Sequence, residues 1–200
     1  MSIKSFSFNQ TEILESIIQL HCPNGIELDM TYGNGVFYKN IPKPQFKFDV
    51  DPQIEGVIKS NCTMLPIQSG SIASLMFDPP FLTYIKGGRD HHEGFVMSKR
   101  FGGYYTYGEL ESHYRLSIQE AYRILCKNGI FVMKCQDIVH NHKLHSTHNN
   151  VINWSEEIGF RTKDLFVLLA EHRMPRPQKG QQRHARIHHS FFLVFRKPVD

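Results

Sequence analysis

The chain reads as an α/β fold: a doubly wound, mostly parallel sheet with helices on both faces. Three observations lead there. Short apolar runs alternate with amphipathic helical stretches along the chain, the pattern of strands joined by crossover helices. Three of the runs deliver an acid, Asp29, Asp49 or Asp78, to their carboxyl ends. The 200 residues, 40% of them hydrophobic, suffice for one globular domain with a sizeable core, so 1–200 is read as a single domain.

From the amino end, Asn9 to His21 carries Ile13, Leu14, Ile17, Ile18 and Leu20 at helical spacing, with Thr11 or Asn9 as cap. Strands follow near 26–30, 46–50 and 73–77, and a helix is expected near 52–60, where Asp51 can cap and Pro52 suits the first helical position. Residues 107–127 form a long amphipathic helix through Leu110, Tyr114, Ile118, Ala121, Tyr122 and Leu125. Lys127-Asn128-Gly129 closes it, with Gly129 as the residue after the cap. A buried strand is expected over 130–135, a helix over 146–158 ending at Gly159, and two last strands over 160–170 and 190–196.

The chemistry concentrates at Leu75-Met76-Phe77-Asp78-Pro79-Pro80-Phe81. Two consecutive prolines end the strand and fix φ near −65° at two positions. Asp78 is thereby held at a strand end, with a ring three residues on. The acid and the Pro79 carbonyl can accept hydrogen bonds from a planar amino group, while Phe81 stacks on the ring that carries it. Upstream, a short strand leads to Asp29 and then to a loop with Gly33 and Gly35, where a ligand can approach the backbone closely. A nicotinamide fingerprint would place a third glycine where this chain has Tyr38, and here an acid precedes the glycines. That pattern favours a ligand with a positive amino group over a pyrophosphate.

Asp29-x-Thr31-x-Gly33-x-Gly35-x-Phe37, followed about fifty residues later by Asp78-Pro79-Pro80-Phe81, resembles the S-adenosylmethionine-dependent amino-methyltransferases, especially those acting on DNA bases. The resemblance implies a seven-stranded Rossmann-like sheet with an antiparallel last strand, for which His189–Lys197 is the counterpart. It implies that Asp29, Thr31, Gly33, Gly35 and Phe37 hold the methionine end of S-adenosyl-L-methionine. Asp49 would take the ribose hydroxyls, with Asp51 as runner-up, and Asn61 would meet the adenine amino group. Asp78, Pro79, Pro80 and Phe81 would be the catalytic motif. The implied reaction is methylation of an exocyclic amino nitrogen, adenine 6-amino or cytosine 4-amino, in DNA, with neither metal nor covalent intermediate. RNA bases or a protein glutamine are alternative substrates, and a nucleic-acid-binding module with an inactive site is the alternative class. Asp78→Ala is expected to abolish turnover, and Gly35→Val to block the cofactor pocket.

Two segments interrupt the alternation. Residues 83–106 combine five glycines with Lys86, Arg89, Arg100 and several aromatics, and read as a mobile loop closing on the substrate. Residues 171–189 read as a basic hairpin arm, in which Arg173, Arg176, Lys179, Arg183 and Arg186 are candidate phosphate contacts. The formal net charge of +4 concentrates there.

The four cysteines form no CxxC pair and read as reduced core thiols. Histidines 140, 142, 145 and 148 are expected to be exposed around a helix start; they lack a zinc spacing, and no metal is expected. No apolar run approaches a membrane span, and the first residues lack the apolar core of a signal peptide, so the expected location is cytoplasmic.

Overall fold

The structure, a computed structural model, describes residues 2–81, 83, 103–171 and 182–199. In chain order the elements are β1 (Phe6–Ser7), α1 (Gln10–His21), β2 (Leu28–Asp29), the 3-10 turn Val36–Tyr38, β3 (Phe46–Asp49), β4 (Ile58–Lys59) and β5 (Ile72–Phe77). Then come α2 (Tyr107–Ile124), β6 (Leu125–Cys135), the hairpin β7 (Ile138–His140) and β8 (Lys143–His145), α3 (Thr147–Ile158), β9 (Arg161–Leu169) and β10 (His189–Arg196).

Eight described strands form one sheet in the order β1-β9-β10-β6-β5-β2-β3-β4. All neighbouring pairs are parallel except those of β10, which runs antiparallel to both β6 and β9. The expected doubly wound sheet with a reversed last strand is therefore present, and β1 adds an eighth strand at one edge. The order reverses between β2 and β5: from β2 the chain winds out to β3 and β4, and from β5 it winds the other way. The crevice beyond the carboxyl ends of β2 and β5 is thus a topological switch point, where open α/β sheets bind their ligands.

Strand periodicity divides the core into two layers. Leu75, Phe77, Phe131, Met133, Phe191, Leu193 and Phe195 meet α2 and α3 through Leu110, Tyr114, Ile118, Val151 and Trp154. The intervening Met76, Val132, Phe192 and Val194 meet α1 through Ile13, Leu14 and Ile17. The helices are bounded as their ends require. Asn9 caps α1, its side chain accepting the Thr11 N–H at 2.9 Å. At α2, Thr106 accepts the Glu109 N–H at 3.2 Å while Glu109 accepts the Tyr105 N–H at 2.9 Å, a capping-box arrangement shifted by one residue. Gly159 ends α3 at φ 117°.

Three expectations need correction. Residues 52–60 hold no helix: a turn with Gly56 at φ 80° leads into β4, because the Asp51-Pro52 start is followed by too few helix-forming residues before that glycine. Gly129 is not a helix cap. α2 ends at Ile124, β6 begins at once, and Asn128 is the left-handed residue at φ 63°. A Cβ on Gly129 would lie 2.8 Å from the Cys126 carbonyl oxygen, so close packing requires this glycine. Of the four histidines, His142 is exposed as expected, but His140 is buried on β7, His145 stacks on Tyr107 at 3.8 Å, and His148 stacks on Phe191 at 4.2 Å while bonding Asp137. The four cysteines are unpaired thiols, and Cys22, Cys62 and Cys135 are buried. No helix among the described residues is long and apolar enough to cross a membrane.

Candidate active site

The two motifs meet at the switch point. Asp29 ends β2, and Asp78 follows β5 directly. Thr31 joins them: its backbone N–H donates to Asp29 Oδ1 at 2.8 Å, and its hydroxyl accepts the Asp78 N–H at 3.0 Å. The glycine loop is anchored to the next strand by Asp49. Its Oδ2 accepts the Gly33 N–H at 2.9 Å and its Oδ1 the Asp51 N–H at 2.8 Å. Gly33 and Gly35 have φ 56° and 72°, which a side chain rarely tolerates. Thus Thr31 links Asp29 to Asp78, Asp49 holds Gly33, and the two bonded groups together make the candidate unit.

The two glycines differ in their surroundings. A Cβ on Gly33 would enter open space, whereas one on Gly35 would lie 2.7 Å from the Tyr32 hydroxyl. Gly35 is therefore required for packing on Tyr32, and a larger residue there disturbs the loop itself before any ligand.

Asp29 is 1% exposed, and its Oδ2 accepts the Tyr38 hydroxyl at 2.6 Å. Burial pushes its carboxyl up to about 7, against the Tyr38 and Thr31 hydrogen bonds that favour the anion. Tyr38 stands where a dinucleotide fingerprint would have its third glycine, and it stacks on Tyr32 at 5.3 Å. The tyrosine that breaks that fingerprint thus secures the acid that begins the loop.

Asp78 differs. Its Oδ1 is buried and has no hydrogen-bond partner among the described residues. Among the described residues, the cation paired with it is Lys134, with Nζ at 4.0 Å. Burial raises the Asp78 carboxyl, and the Lys134 charge lowers it. The tetrad is clamped from the other face of the sheet, where the fully buried Tyr114 of α2 donates its hydroxyl to the Pro80 carbonyl at 2.9 Å. Pro79 is buried, and the half-buried Phe81 packs against the α2-side core. Phe37 is half-buried, 6.1 Å from the Phe192 ring.

Asn61 lies outside this unit, exposed after β4, with its side-chain oxygen accepting the Thr63 N–H at 3.0 Å. Arg183 and Arg186 are exposed on the stretch leading to β10. Lys86, Arg89, Arg100, Arg173, Arg176 and Lys179 fall outside the described residues, as do most of the 83–106 loop and the 171–189 arm.

Sequence reasoning missed Tyr38, Tyr114, Lys134 and Gln10, whose side-chain oxygen accepts Lys134 Nζ at 2.9 Å. Lys134 left one trace: it is a lone cation inside the apolar run Ile130–Cys135. Tyr38 left one as well, as the residue that breaks the dinucleotide spacing, whereas Tyr114 left none, because an aromatic residue at a buried helical position is ordinary core.

Comparison with solved structures places the fold among the S-adenosylmethionine-dependent methyltransferases. A methyltransferase of this class from Thermotoga maritima is 16% identical, with 95% of this chain and 90% of that one covered and a TM-score of 0.52. The cyclase SpnF is 9% identical, with 95% and 81% covered and a TM-score of 0.57, so the fold alone does not fix a reaction. A candidate DNA modification methylase of Thermus thermophilus, solved with S-adenosyl-L-methionine, is 16% identical over 70% of this chain, with a TM-score of 0.48. This chain spans about half the length of that protein. No protein-family model and no curated protein matches the chain.

Proposed function

We propose that the protein is an S-adenosyl-L-methionine-dependent methyltransferase that modifies an exocyclic amino nitrogen of a DNA base, adenine 6-amino or cytosine 4-amino. The observation that carries this reading is the Asp78-Pro79-Pro80-Phe81 tetrad, fixed at the carboxyl end of a central strand with a buried Asp78 oxygen lacking a hydrogen-bond donor among the described residues.

The residues at the crevice fit the cofactor. Its amino group and ribose hydroxyls are donors, and the strand ends supply carboxylates. The position of a Gly33 Cβ is open, which leaves the loop backbone accessible. Asp29, with both oxygens already bonded, would shape the loop whose Thr31, Gly33, Gly35 and Phe37 hold the methionine end, while Asp49 would take the ribose and Asn61 the adenine. Once bound, the cofactor supplies a methyl group already activated by its sulfonium.

The remaining chemistry belongs to the chain. An exocyclic amine is a weak nucleophile because its lone pair is delocalised into the ring. Accepting its N–H bonds at Asp78 and the Pro79 carbonyl favours a tetrahedral, nucleophilic nitrogen. Phe81 stacks on the base, and the double proline and the Tyr114 clamp keep the acceptors aligned, so positioning provides much of the rate. The proton leaves to Asp78 or to water. A base in duplex must first be flipped out of the stack. The cations of the 83–106 and 171–189 segments, with Arg183 and Arg186, would meet phosphates, so binding should weaken with salt.

The test is incubation with methyl-labelled S-adenosyl-L-methionine and unmethylated duplex DNA, with RNA in parallel, followed by nucleoside mass spectrometry. Label on adenine or cytosine of DNA, lost in Asp78→Ala, supports the reading. Label in RNA alone would move the substrate to RNA.

A further inference from the structure

Lys134 is an unusual residue for a central strand. It lies on β6 between Met133 and Cys135, both fully buried, and its own side chain is 11% exposed. Strand parity turns it to the α1 face, the same face as Asp29 and Asp78. Gln10 at the start of α1 accepts its ammonium at 2.9 Å. The ring centroids of Phe37 and Phe192 lie 4.8 and 5.5 Å away, each within cation–π reach. Three elements therefore hold the ammonium in one place, 4.0 Å from the buried Oδ1 of Asp78.

We propose that Lys134 is the positioning residue for Asp78: its fixed ammonium keeps the Asp78 carboxylate charged and in place while leaving the donor-free Oδ1 for the substrate amine. This rests on the reading of Asp78 as the acceptor of that amine. The need for a cation follows from the groups that face Asp78. Asp29 on β2 gains charge near pH 7 and opposes a second anion beside it. Tyr38, Tyr114 and Cys135 are each pushed up by burial and stay neutral at working pH, so they add no charge beside Asp78. Lys134 is the cation that lowers Asp78 among the described residues. Its distance also matters. At 4.0 Å it is beyond a direct hydrogen bond, so it holds the charge without occupying the acceptor site.

Two readouts on K134M and K134R test this. In the cofactor-free protein, carboxyl 13C NMR with aspartate label, assigned with D78N, follows Asp78 itself. Its titration midpoint should move up in K134M and stay near wild type in K134R. In the pH–rate profile, K134M should lose about tenfold at pH 6 relative to wild type, and less than about twofold at pH 8.5. Cofactor affinity, by calorimetry, should change less than about threefold in K134M. An unmoved Asp78 midpoint in K134M would overturn the proposal. So would a large loss of cofactor affinity with that midpoint unmoved, which would make Lys134 a ligand for the cofactor carboxylate. The NMR arm needs no substrate. A wild-type protein that methylates nothing would remove the functional reading, while the titration would still decide the Lys134–Asp78 coupling.

Discussion

The carboxyl ends of β2 and β5 lie side by side, and each presents an aspartate, but only one of the two is internally complete. At β2, Asp29 accepts Thr31 N–H on one oxygen and the Tyr38 hydroxyl on the other, and almost none of it reaches solvent. At β5, the Asp78 side chain is 27% exposed, its Oδ1 has no described donor, and its partner is a lysine at 4.0 Å. A buried polar group without a donor costs free energy in the unliganded protein, and the cost is recovered when a ligand supplies the bond. The difference separates an acid that builds the loop from one held ready for a ligand.

The contrast can be broken most sharply at Asp78. Asp78→Ala should lower methyl transfer by about 10³-fold or more while the urea midpoint stays near wild type, because no described hydrogen bond to the side chain is lost. At Asp29 the effects should reverse in kind. Asp29→Ala strands the Tyr38 hydroxyl and the Thr31 N–H, and should cost about 2–4 kcal/mol in urea unfolding. Gly35→Val combines a left-handed φ with contact on Tyr32 and should cost about 1–3 kcal/mol, visible as a lower melting temperature without ligand. Tyr38→Phe removes one hydrogen bond to the carboxylate and should cost about 1 kcal/mol.

A pH series sharpens the same comparison. Asp29 is raised in the folded protein from 3.8 to about 7, so between those values the folded state holds a proton that the unfolded chain has released. Its contribution to stability is present below pH 4 and is lost as pH rises to about 7. Plotted against Asp29→Asn, which cancels the titration of other groups, wild-type stability should fall across that window and level off above it. A difference that rises with pH would mean that the Tyr38 and Thr31 bonds outweigh burial.

Much of this arrangement was legible in the residue order because it is local. The apolar run before Asp78 and the double proline specify a strand and its end, and the Asp29–Gly35 loop announces its positive φ through its glycines. The reversed β10 followed from the resemblance rather than from periodicity. Short edge elements were not legible: β1 and β4 have two residues each, too few for any period, and β4 took the place of an expected helix. The β7–β8 hairpin turns on Asn141 and His142 at φ 50° and 59°, a turn without glycine, and of its histidines His140 and His145 were misjudged as exposed. The Tyr38–Asp29 and Lys134–Asp78 pairs are long-range facts of sheet register and loop path. Spacing along the chain cannot place Lys134 beside an acid fifty-six residues earlier; the pairing of Phe77 with Met133 does.

The central claim is that Asp78 accepts the amine that is methylated. The most direct measurement is nucleoside mass spectrometry of duplex DNA and RNA after incubation with methyl-labelled S-adenosyl-L-methionine, for the wild type and Asp78→Ala side by side. The account predicts labelled N6-methyladenine or N4-methylcytosine from DNA with the wild type, and none with the variant, at equal cofactor binding. Label that persists in Asp78→Ala, or that appears on a carbon of the base, would contradict it.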